Sequence, residues 1–343
     1  MVILNVLDEN RELIDIVDYS MEVLWTKKFQ DVGGVVFKVP ADDYTIDLFL
    51  NKAWYVTRDD DDMVCEVVKL TLNQSIDSGA DELTVTCLSL NNLLKNRQVW
   101  EQINLNDTAD ICIRALVKNN FIVTTEERMV TYIKLGAMTK FGPTIVKQVT
   151  EESNVLIAIQ EIALAYGIGF KFVMDENKDF VFDLYQGIDR TTSLDPVEFS
   201  PARHNLQSFT FELDRSNEKN VAIVVGEGEG INRKKATVGT ATGIRRKEMF
   251  VDGKNSSSND GVVTDYQTML VETGKNILAE HASTNHFNFE VDAQSYVYKE
   301  DFDLGDIITV RADYGLSLTA KIVEVIETWY ATNEYQIKIN VEV

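Results

Sequence analysis

Short apolar segments follow one another through the first ninety residues, separated by turn-forming or acidic stretches. Many of their residues are β-branched or aromatic, which favours strands. In one segment Val68, Leu70 and Leu72 alternate with polar residues, the period of a strand with one face in water. The predicted strands cover 2–7, 21–25, 35–39, 54–57, 64–72 and 83–88. Such a series is typical of a β-sandwich or a small β-barrel.

Helical spacing appears after residue 90, with a short helical segment predicted for 90–95 and a longer helix that begins near Thr108. The apolar residues of the longer helix recur on one helix face: Ala109, Cys112, Ile113, Leu116 and Val117. A second helix follows Ser153 and is predicted to end at Gly167, because glycine readily adopts the left-handed conformation that stops a helix. A third helix is predicted to begin at Thr264, which forms a capping-box pair with Gln267.

Strand patterns return around and after these helices. The segments 170–174 and 180–184 flank a turn-forming stretch and predict a β-hairpin. Further strands are predicted at 206–213, 221–225, 287–291, 306–311, 318–328 and 335–343. The polar stretch KNSSSNDG at 254–261 is the most linker-like part of the chain. The block 96–200 is therefore predicted to be α+β, and both ends of the chain are predicted to be mainly β.

The two ends of the chain also resemble each other. Each has a strand that ends in arginine, Arg58 or Arg311, then a turn and two more strands. Apolar positions of the second strands correspond: Val67 with Ile322, Val68 with Val323, and Leu70 with Val325. Chance similarity between two β-meanders is the alternative, but the spacing agrees over about forty residues, which favours a duplicated β-domain. We predict that 48–90 and 302–343 are equivalent meanders, with the two arginines in equivalent places.

Charge narrows the classes of function. The chain has 33 Lys and Arg against 55 Asp and Glu, a formal net charge of −22. Tight phosphate binding needs clustered basic residues, and only 233–235 and 245–247 approach a cluster, which disfavours a nucleic-acid reader. No apolar run approaches the ~18 residues of a membrane helix, and the first residues lack the basic start of a signal peptide. Three cysteines do not form a disulfide framework, which indicates a reducing cytoplasm during assembly.

Two segments are candidate ligand loops. The glycine-rich stretch 226–230 follows a strand, but it lacks the spacing of a phosphate-binding loop and its glutamates would repel an anion. A turn is predicted there. Four aspartates at 59–62 lack the central glycine and distal glutamate of a calcium loop. A solvated hairpin tip is predicted for them, with adventitious calcium as the alternative.

The histidines and cysteines do not assemble into a catalytic or metal site. His281 and His286 are five residues apart, unlike the i, i+4 pair of a helical zinc site, and His204 is remote from both. Three cysteines stand among apolar residues and are predicted to be small buried thiols: Cys65, Cys87 and Cys112. We predict no catalytic residue, no cofactor and no metal ligand. A catalytic pair of carboxylates stays open as an alternative, because the 55 Asp and Glu residues offer too many possible pairs to single one out.

Several short motifs, taken in order, resemble the tail-hub proteins of siphophages and prophages of Gram-positive bacteria. GGVVFKVP at 33–40, WYVT at 54–57 and LLKNRQV at 93–99 resemble the opening of these proteins. Other segments resemble their middle domain (167–174, 180–187, 189–190) and their closing domain (220–226, 245–248, 304–310). The resemblance covers nearly the whole chain and rests on the order of the motifs. The family includes the N-terminal domains of tail-associated lysins and baseplate hubs.

The resemblance implies an α+β, mainly β fold, in which two tube-like β-barrel or sandwich domains carry smaller α+β inserted domains. We expect the first tube-like domain at 1–95 and the α+β middle domain at 96–204. The second, discontinuous tube-like domain is expected at 205–253 and 287–343, around an inserted helical segment at 254–286. The resemblance also implies a homotrimer whose six β-domains form a pseudo-sixfold ring.

The expected function is a structural tail-tip or baseplate hub, made in the bacterial cytoplasm, which adapts the hexameric tail tube to a threefold tip and forms part of the DNA channel. The resemblance implies as partners the distal tail protein, the tape-measure protein, tail fibres or receptor-binding components, and double-stranded DNA that passes without specific binding. Many relatives continue into a peptidoglycan-degrading domain, which is expected to be absent here because the chain stops after the last hub strand. The alternative function is a tail-associated endopeptidase or peptidoglycan hydrolase. The acidity has two explanations of equal weight, a channel wall that repels DNA and plain solubility.

Overall fold

The computed structural model describes residues 2–74, 81–138, 142–192, 196–253, 266–291, 295–332 and 334–342. The chain divides into two compact units. Unit 1 comprises 1–92, 169–211 and 286–343, and unit 2 comprises 93–168 and 212–285. These units cut the chain near the expected boundaries at 95, 204 and 287, and also at 168, within the expected middle domain. The four-part division into domains stays a prediction.

The helices and strands are numbered in chain order. The α-helices are α1 Asp43–Asp47, α2 Asn92–Lys95, α3 Ala109–Val117, α4 Val155–Tyr166 and α5 Tyr266–Glu280. The strands of the N-terminal half are β1 Leu4–Leu7, β2 Leu13–Val17, β3 Glu22–Lys28, β4 Gly34–Pro40, β5 Tyr55–Arg58, β6 Asp61–Asn73, β7 Glu82–Ser89, β8 Ile103–Thr108, β9 Ile133–Leu135 and β10 Thr144–Val149. The remaining strands are β11 Gly169–Met174, β12 Phe180–Tyr185, β13 Glu198–Phe199, β14 Leu206–Asp214, β15 Val221–Val225, β16 Lys235–Val238, β17 Glu248–Asp252, β18 Thr284–Val291, β19 Ile307–Arg311, β20 Ser317–Tyr330 and β21 Tyr335–Glu342.

The helix predictions from local spacing are confirmed for α3 and α4. All five apolar residues that defined the face of α3 are buried. Asn154 caps α4 by accepting a hydrogen bond from the backbone N–H of Leu156 at 3.0 Å. The helix ends at Gly167, whose φ of 61° lies in the left-handed region that favours glycine. The predicted start of the third helix at Thr264 and the linker at 254–261 lie outside the described residues, and α5 is described from Tyr266.

Most strands of unit 1 form one large sheet. Its order is β14-β18-β21-β20-β3-β4-β7-β6-β5-β1-β2, with β19 beside β20 and β13 beside β19. We call β1–β7 the first module, and β13, β14 and β18–β21 the second module. The modules share one strand order, β3-β4-β7-β6-β5-β1 in the first and β14-β18-β21-β20-β19-β13 in the second. Within each module the order therefore agrees with the predicted duplication.

The irregularities of the two modules also correspond. A β-bulge interrupts the pairing of β6 with β7 between Val67 and Lys69, and another interrupts the pairing of β20 with β21 between Ile322 and Glu324. The extra residues are Val68 and Val323, which the sequence comparison had already matched. Arg58 and Arg311 each end the first strand of their meander, as predicted. Since bulges are specific features of a fold, their agreement is stronger than shared strand order alone.

Each module has its own core. In the first module the fully buried side chains include Trp25, Phe37 and Val85. In the second, Phe199 packs against Phe289 with ring centroids 5.0 Å apart. The strand β2 was not among the predicted strands; its Leu13 is 55% exposed and its Val17 is buried. The hairpin of β11 and β12 is present where it was predicted.

Unit 2 contains short sheets and helices. The strand β15 pairs antiparallel with β16 and parallel with β17, and Leu270 of α5 packs into the same core as Val224. A separate pair is formed by β8 and β10. The short strands β16 and β17 were not predicted; β16 begins at the last residue of the basic stretch 233–235, and β17 follows the basic stretch 245–247. None of the helices described is long and apolar enough to cross a membrane.

Candidate functional site

The candidate site lies in unit 1, where the two modules join. The strand β3 of the first module pairs antiparallel with β20 of the second, from Glu22 opposite Tyr330 to Lys28 opposite Glu324. Arg58, at the end of β5, reaches into this joint. Its guanidinium carbon lies 5.0 Å from the ring centroid of Trp25 and 4.6 Å from that of Trp329. The side chain of Arg58 is only 2% exposed, so this cation lies buried between two aromatic faces.

Carboxylates surround the Arg58 guanidinium. Its Nε donates to Asp60 Oδ1 at 2.5 Å and its Nη2 donates to Glu327 Oε2 at 3.1 Å, while Asp61 Oδ2 lies 4.0 Å away. The hydroxyl of Tyr335 donates to the other oxygen of Glu327 at 3.0 Å. Burial alone would lower the pKa of Arg58, but the charges of Glu327 and Asp61 outweigh it and raise that pKa. Burial raises the pKa of Glu327, against the opposing charge of Arg58.

Asp61 holds two lysines from distant parts of the chain. Its Oδ2 lies 3.1 Å from Lys27 Nζ and 2.7 Å from Lys299 Nζ, and its side chain is fully buried. Burial would raise the pKa of Asp61, but the charges of Lys27 and Lys299 outweigh it and lower the pKa. The neighbouring Asp62 pairs with Lys27 at 3.0 Å and with Lys171. We call these two aspartates, Arg58 and their charged and aromatic partners the Arg58 cluster.

The prediction of a solvated hairpin tip at 59–62 is right only for the turn itself. Asp59 and Asp60 are exposed between β5 and β6, whereas the side chain of Asp61 is buried. The physical reason is tertiary, since lysines from β3 and from residue 299 neutralise Asp61. In the described part of the chain, no group of three or more His, Cys, Asp and Glu side chains could hold a metal ion.

A cleft of about 660 Å³ borders the Arg58 cluster. Its walls carry the aspartates 59–62, the lysines at 27, 171 and 299, and the aromatic ring of Tyr185. Asp61 and Asp62 are engaged in ion pairs with the three lysines of these walls. Because opposite charges already satisfy each other, the arrangement is suited to holding strands together.

The other residues singled out in the sequence are accounted for locally. The three cysteines are free and buried, as predicted, and burial raises the pKa of the Cys112 thiol to about 12, which makes it inert.

At the glycine-rich stretch 226–230, Arg233 donates to the carbonyl of Gly226 at 2.8 Å and the N–H of Glu227 donates to the Tyr266 hydroxyl at 2.8 Å. These contacts agree with a turn. His204, in a left-handed turn, is remote in sequence from His281, whose Nδ1 contacts a backbone carbonyl of α5.

The family model of the Siphovirus ReqiPepy6 Gp37-like proteins matches the chain over residues 3–341. The chain belongs to this family of siphovirus tail proteins. The resemblance to tail proteins seen in the sequence motifs is thereby confirmed, and the protein is a component of the phage tail. No curated protein is similar to it in sequence.

Solved structures show the same fold. A tail protein from Neisseria meningitidis MC58 is 13% identical, with a TM-score of 0.60, covering 100% of this chain and 97% of that one. The prophage tail protein gp18 from Listeria monocytogenes EGD-e is 13% identical, with a TM-score of 0.57, covering 100% and 94%. The 43 kDa tail protein of prophage MuSo2 from Shewanella oneidensis is 10% identical, with a TM-score of 0.59, covering 99% and 97%. The predicted fold class, mainly β and similar to phage tail proteins, is confirmed.

Nothing in the sequence marked the Arg58 cluster as a site. Its members come from β3, β5, β6, β11, β20 and β21 and from residues 60 and 299, and the contact of Arg58 with Glu327 joins residues 269 positions apart. The available signal was indirect: arginine ended an apolar strand in each half of the chain, and tryptophans occurred in β3 and β20. The two arginines differ in the fold, because Arg58 is buried and the side chain of Arg311 is 57% exposed.

Proposed function

We propose that this tail protein is the structural hub of the tail tip, in which three copies form a ring that joins the hexameric tail tube to a threefold tip. The observation that carries the proposal is the internal duplication of the β-module, with one strand order and one bulge position in both halves. Three chains with two modules each supply six similar wall segments. The Arg58 cluster is suited to a structural role, because it fixes the two modules of one chain to each other.

The ring would lie between tail components. The partners that follow from this place are the distal tail protein and tape-measure protein on the tube side, and tail fibres or receptor-binding components on the tip side. Double-stranded DNA would pass through the ring without specific binding. The chain would be made in the bacterial cytoplasm and be carried in the virion tail.

Two measurements test the hub. The purified protein is expected to reach a mass of three chains of 38.8 kDa in native mass spectrometry or light scattering, and purified virions are expected to contain it at the tail tip by immunogold labelling. A protein that is absent from virions, or that labels the length of the tail instead of its tip, would contradict the proposal.

The proposed role is non-enzymatic, and the alternative is a tail-associated endopeptidase or peptidoglycan hydrolase. Zymography on purified cell wall separates the two, with no clearing expected from the pure chain. Reproducible clearing that disappears when a single carboxylate is replaced would establish the enzyme. The two results are independent: the location in the virion tests the hub, and the zymogram tests the enzyme.

The acidity of the chain fits a DNA channel. Three copies would carry 3 × (−22) = −66 formal charges, and a basic wall would hold DNA, which bears one charge per ~1.7 Å of axis. We expect the channel-facing side chains of the ring to be more negative than its outer surface. Their repulsion acts over about a Debye length, ~8 Å at physiological salt. A structure of the ring decides this, because a neutral or basic inner wall would leave solubility as the reason for the charge.

A further inference from the structure

We propose that the second half of β6, residues 68–73, is the edge on which β14 of a second copy pairs antiparallel. The inference rests on the proposed ring, which supplies the second copy, and it names the strands that meet. Its basis is the joint that the chain already makes between its own modules.

The strand β20 has two partners in succession along one side. Over 317–321 it pairs with β19 of its own module, and over 324–330 it pairs with β3 of the first module. The corresponding strand β6 pairs with β5 over 61–66. Beyond its bulge, no strand of the described residues pairs with β6 on that side. The position that β3 fills on β20 is thus open on β6.

The side chains of the two strands differ as this predicts. Counted from the matched bulges, Leu70 and Leu72 of β6 correspond to Val325 and Glu327 of β20. Val325 and Glu327 are 1% and 5% exposed under β3, whereas Leu70 is only partly buried and Leu72 is 44% exposed. Val68, the bulge residue of β6, is 43% exposed. The unpaired N–H and C=O groups of an open strand edge are a template for pairing with another chain, and exposed apolar side chains on that edge favour association. A monomer leaves this template uncovered.

The strand that fits is identified by its place in the module. In the first module, β3 is the outermost strand, and it crosses to β20. In the second module, β14 holds the same place and is the last strand in the order of the described sheet. Within this chain β14 and β6 lie at separate positions of that order. A second copy is therefore what brings a β14 to the open half of β6, and repetition of the joint closes a ring of six modules.

The two kinds of joint are not equally strong. The joint within the chain is reinforced by Arg58, buried between Trp25 and Trp329. Its counterpart Arg311 is 57% exposed and lies 3.4 Å from Glu198. The joint between copies therefore lacks a clamp that is already buried in the single chain.

Blocking the edge tests the proposal. The double substitution Val68→Lys with Leu72→Lys is expected to convert the trimer mass into the monomer mass of 38.8 kDa, because lysines on a strand edge prevent pairing. Circular dichroism and the unfolding midpoint check that the monomer stays folded. The matched control is Leu13→Lys, which places a lysine on β2 at the other end of the sheet, where the leucine is 55% exposed, and it is expected to keep the trimer.

A disulfide cross-link tests the contact directly. Cysteine at Thr71 is combined in turn with cysteine at Ser208, Thr210 or Glu212 of β14, both in the pure protein and in virions. The native cysteines are buried, so they do not compete. One of the three pairs is expected to give covalent dimers and trimers on oxidation, whereas a pair with cysteine at Tyr314, which is fully exposed on the β19–β20 turn, gives none.

The outcomes distinguish this joint from the hub itself. A trimer that survives the lysine substitutions, or virions that contain the chain at the tail tip without any β6–β14 cross-link, would overturn the joint and leave the hub intact. Absence of the chain from the tail tip would instead overturn the hub.

Discussion

Replacing Arg58 by alanine is expected to lower the free energy of unfolding of the chain by about 3–5 kcal/mol, the range for breaking a buried ion pair by removing one partner. The substitution leaves Glu327, whose side chain is 6% exposed, without its cation. It also removes the contact with the faces of Trp25 and Trp329, which is worth about 2 kcal/mol or more when desolvated and overlaps with that range. Urea unfolding followed by circular dichroism measures the change.

The chain contains its own control for this experiment. Arg311 ends the equivalent strand of the second module, but its side chain is 57% exposed. The Arg311→Ala variant is therefore expected to stay within about 0.5 kcal/mol of the wild type, as surface substitutions usually do. Lysine at position 58 should recover only part of the loss, because it keeps the charge but not the planar group that stacks on the tryptophans. Equal effects of the two alanine variants would contradict the role of the Arg58 cluster.

The Asp61→Asn variant is expected to lose about 3 kcal/mol of unfolding free energy near neutral pH, since a neutral amide leaves Lys27 and Lys299 without their shared carboxylate. The loss should depend on pH. The folded pKa of Asp61 lies below its ordinary value of 3.8, so its stabilisation is present above that value and is lost as the pH falls through the folded pKa. The difference between wild type and variant should thus be constant around pH 5–7 and shrink below about pH 4.

Urea midpoints measured from about pH 7 down to about pH 2 follow this difference. Asp47→Asn is the matched control, because Asp47 also pairs with a lysine, Lys52, but at the surface, where ion pairs contribute little. Its midpoints should follow those of the wild type. A difference between Asp61→Asn and wild type that persists unchanged at the lowest pH would show that the aspartate does not act through its charge.

Local patterns predicted the elements whose stability depends on near neighbours in sequence. The helix α3 followed from apolar residues at one-face spacing, and the end of α4 followed from Gly167. The meanders followed from period-two alternation and turn residues, and even the matched valines 68 and 323 proved to be the bulge residues. The same patterns missed β17, whose partner β15 runs parallel to it and lies more than twenty residues earlier in the chain. Parallel pairing leaves no local signal, because the connection between the strands is long.

The Arg58 cluster could not be predicted from local patterns in the sequence. Four consecutive aspartates read as a solvated turn, because a run of like charge is costly to bury without partners. The partners exist, but they come from β3 and from residue 299. Arg58 likewise gave no sign of burial in its own strand, since Trp25 and Trp329 reach it only when β3 pairs with β20.

The sequence by itself determined that this protein is a mainly β phage tail protein with a duplicated meander, because alternation, turns and motif order are properties of neighbouring residues. Only the tertiary structure decided which of the two equivalent arginines is buried, and that the two modules join through β3 and β20. Burial of a charge depends on opposite charges and aromatic faces that folding brings from distant segments. Which distant segments come together in space cannot be deduced from the spacing of residues along the chain.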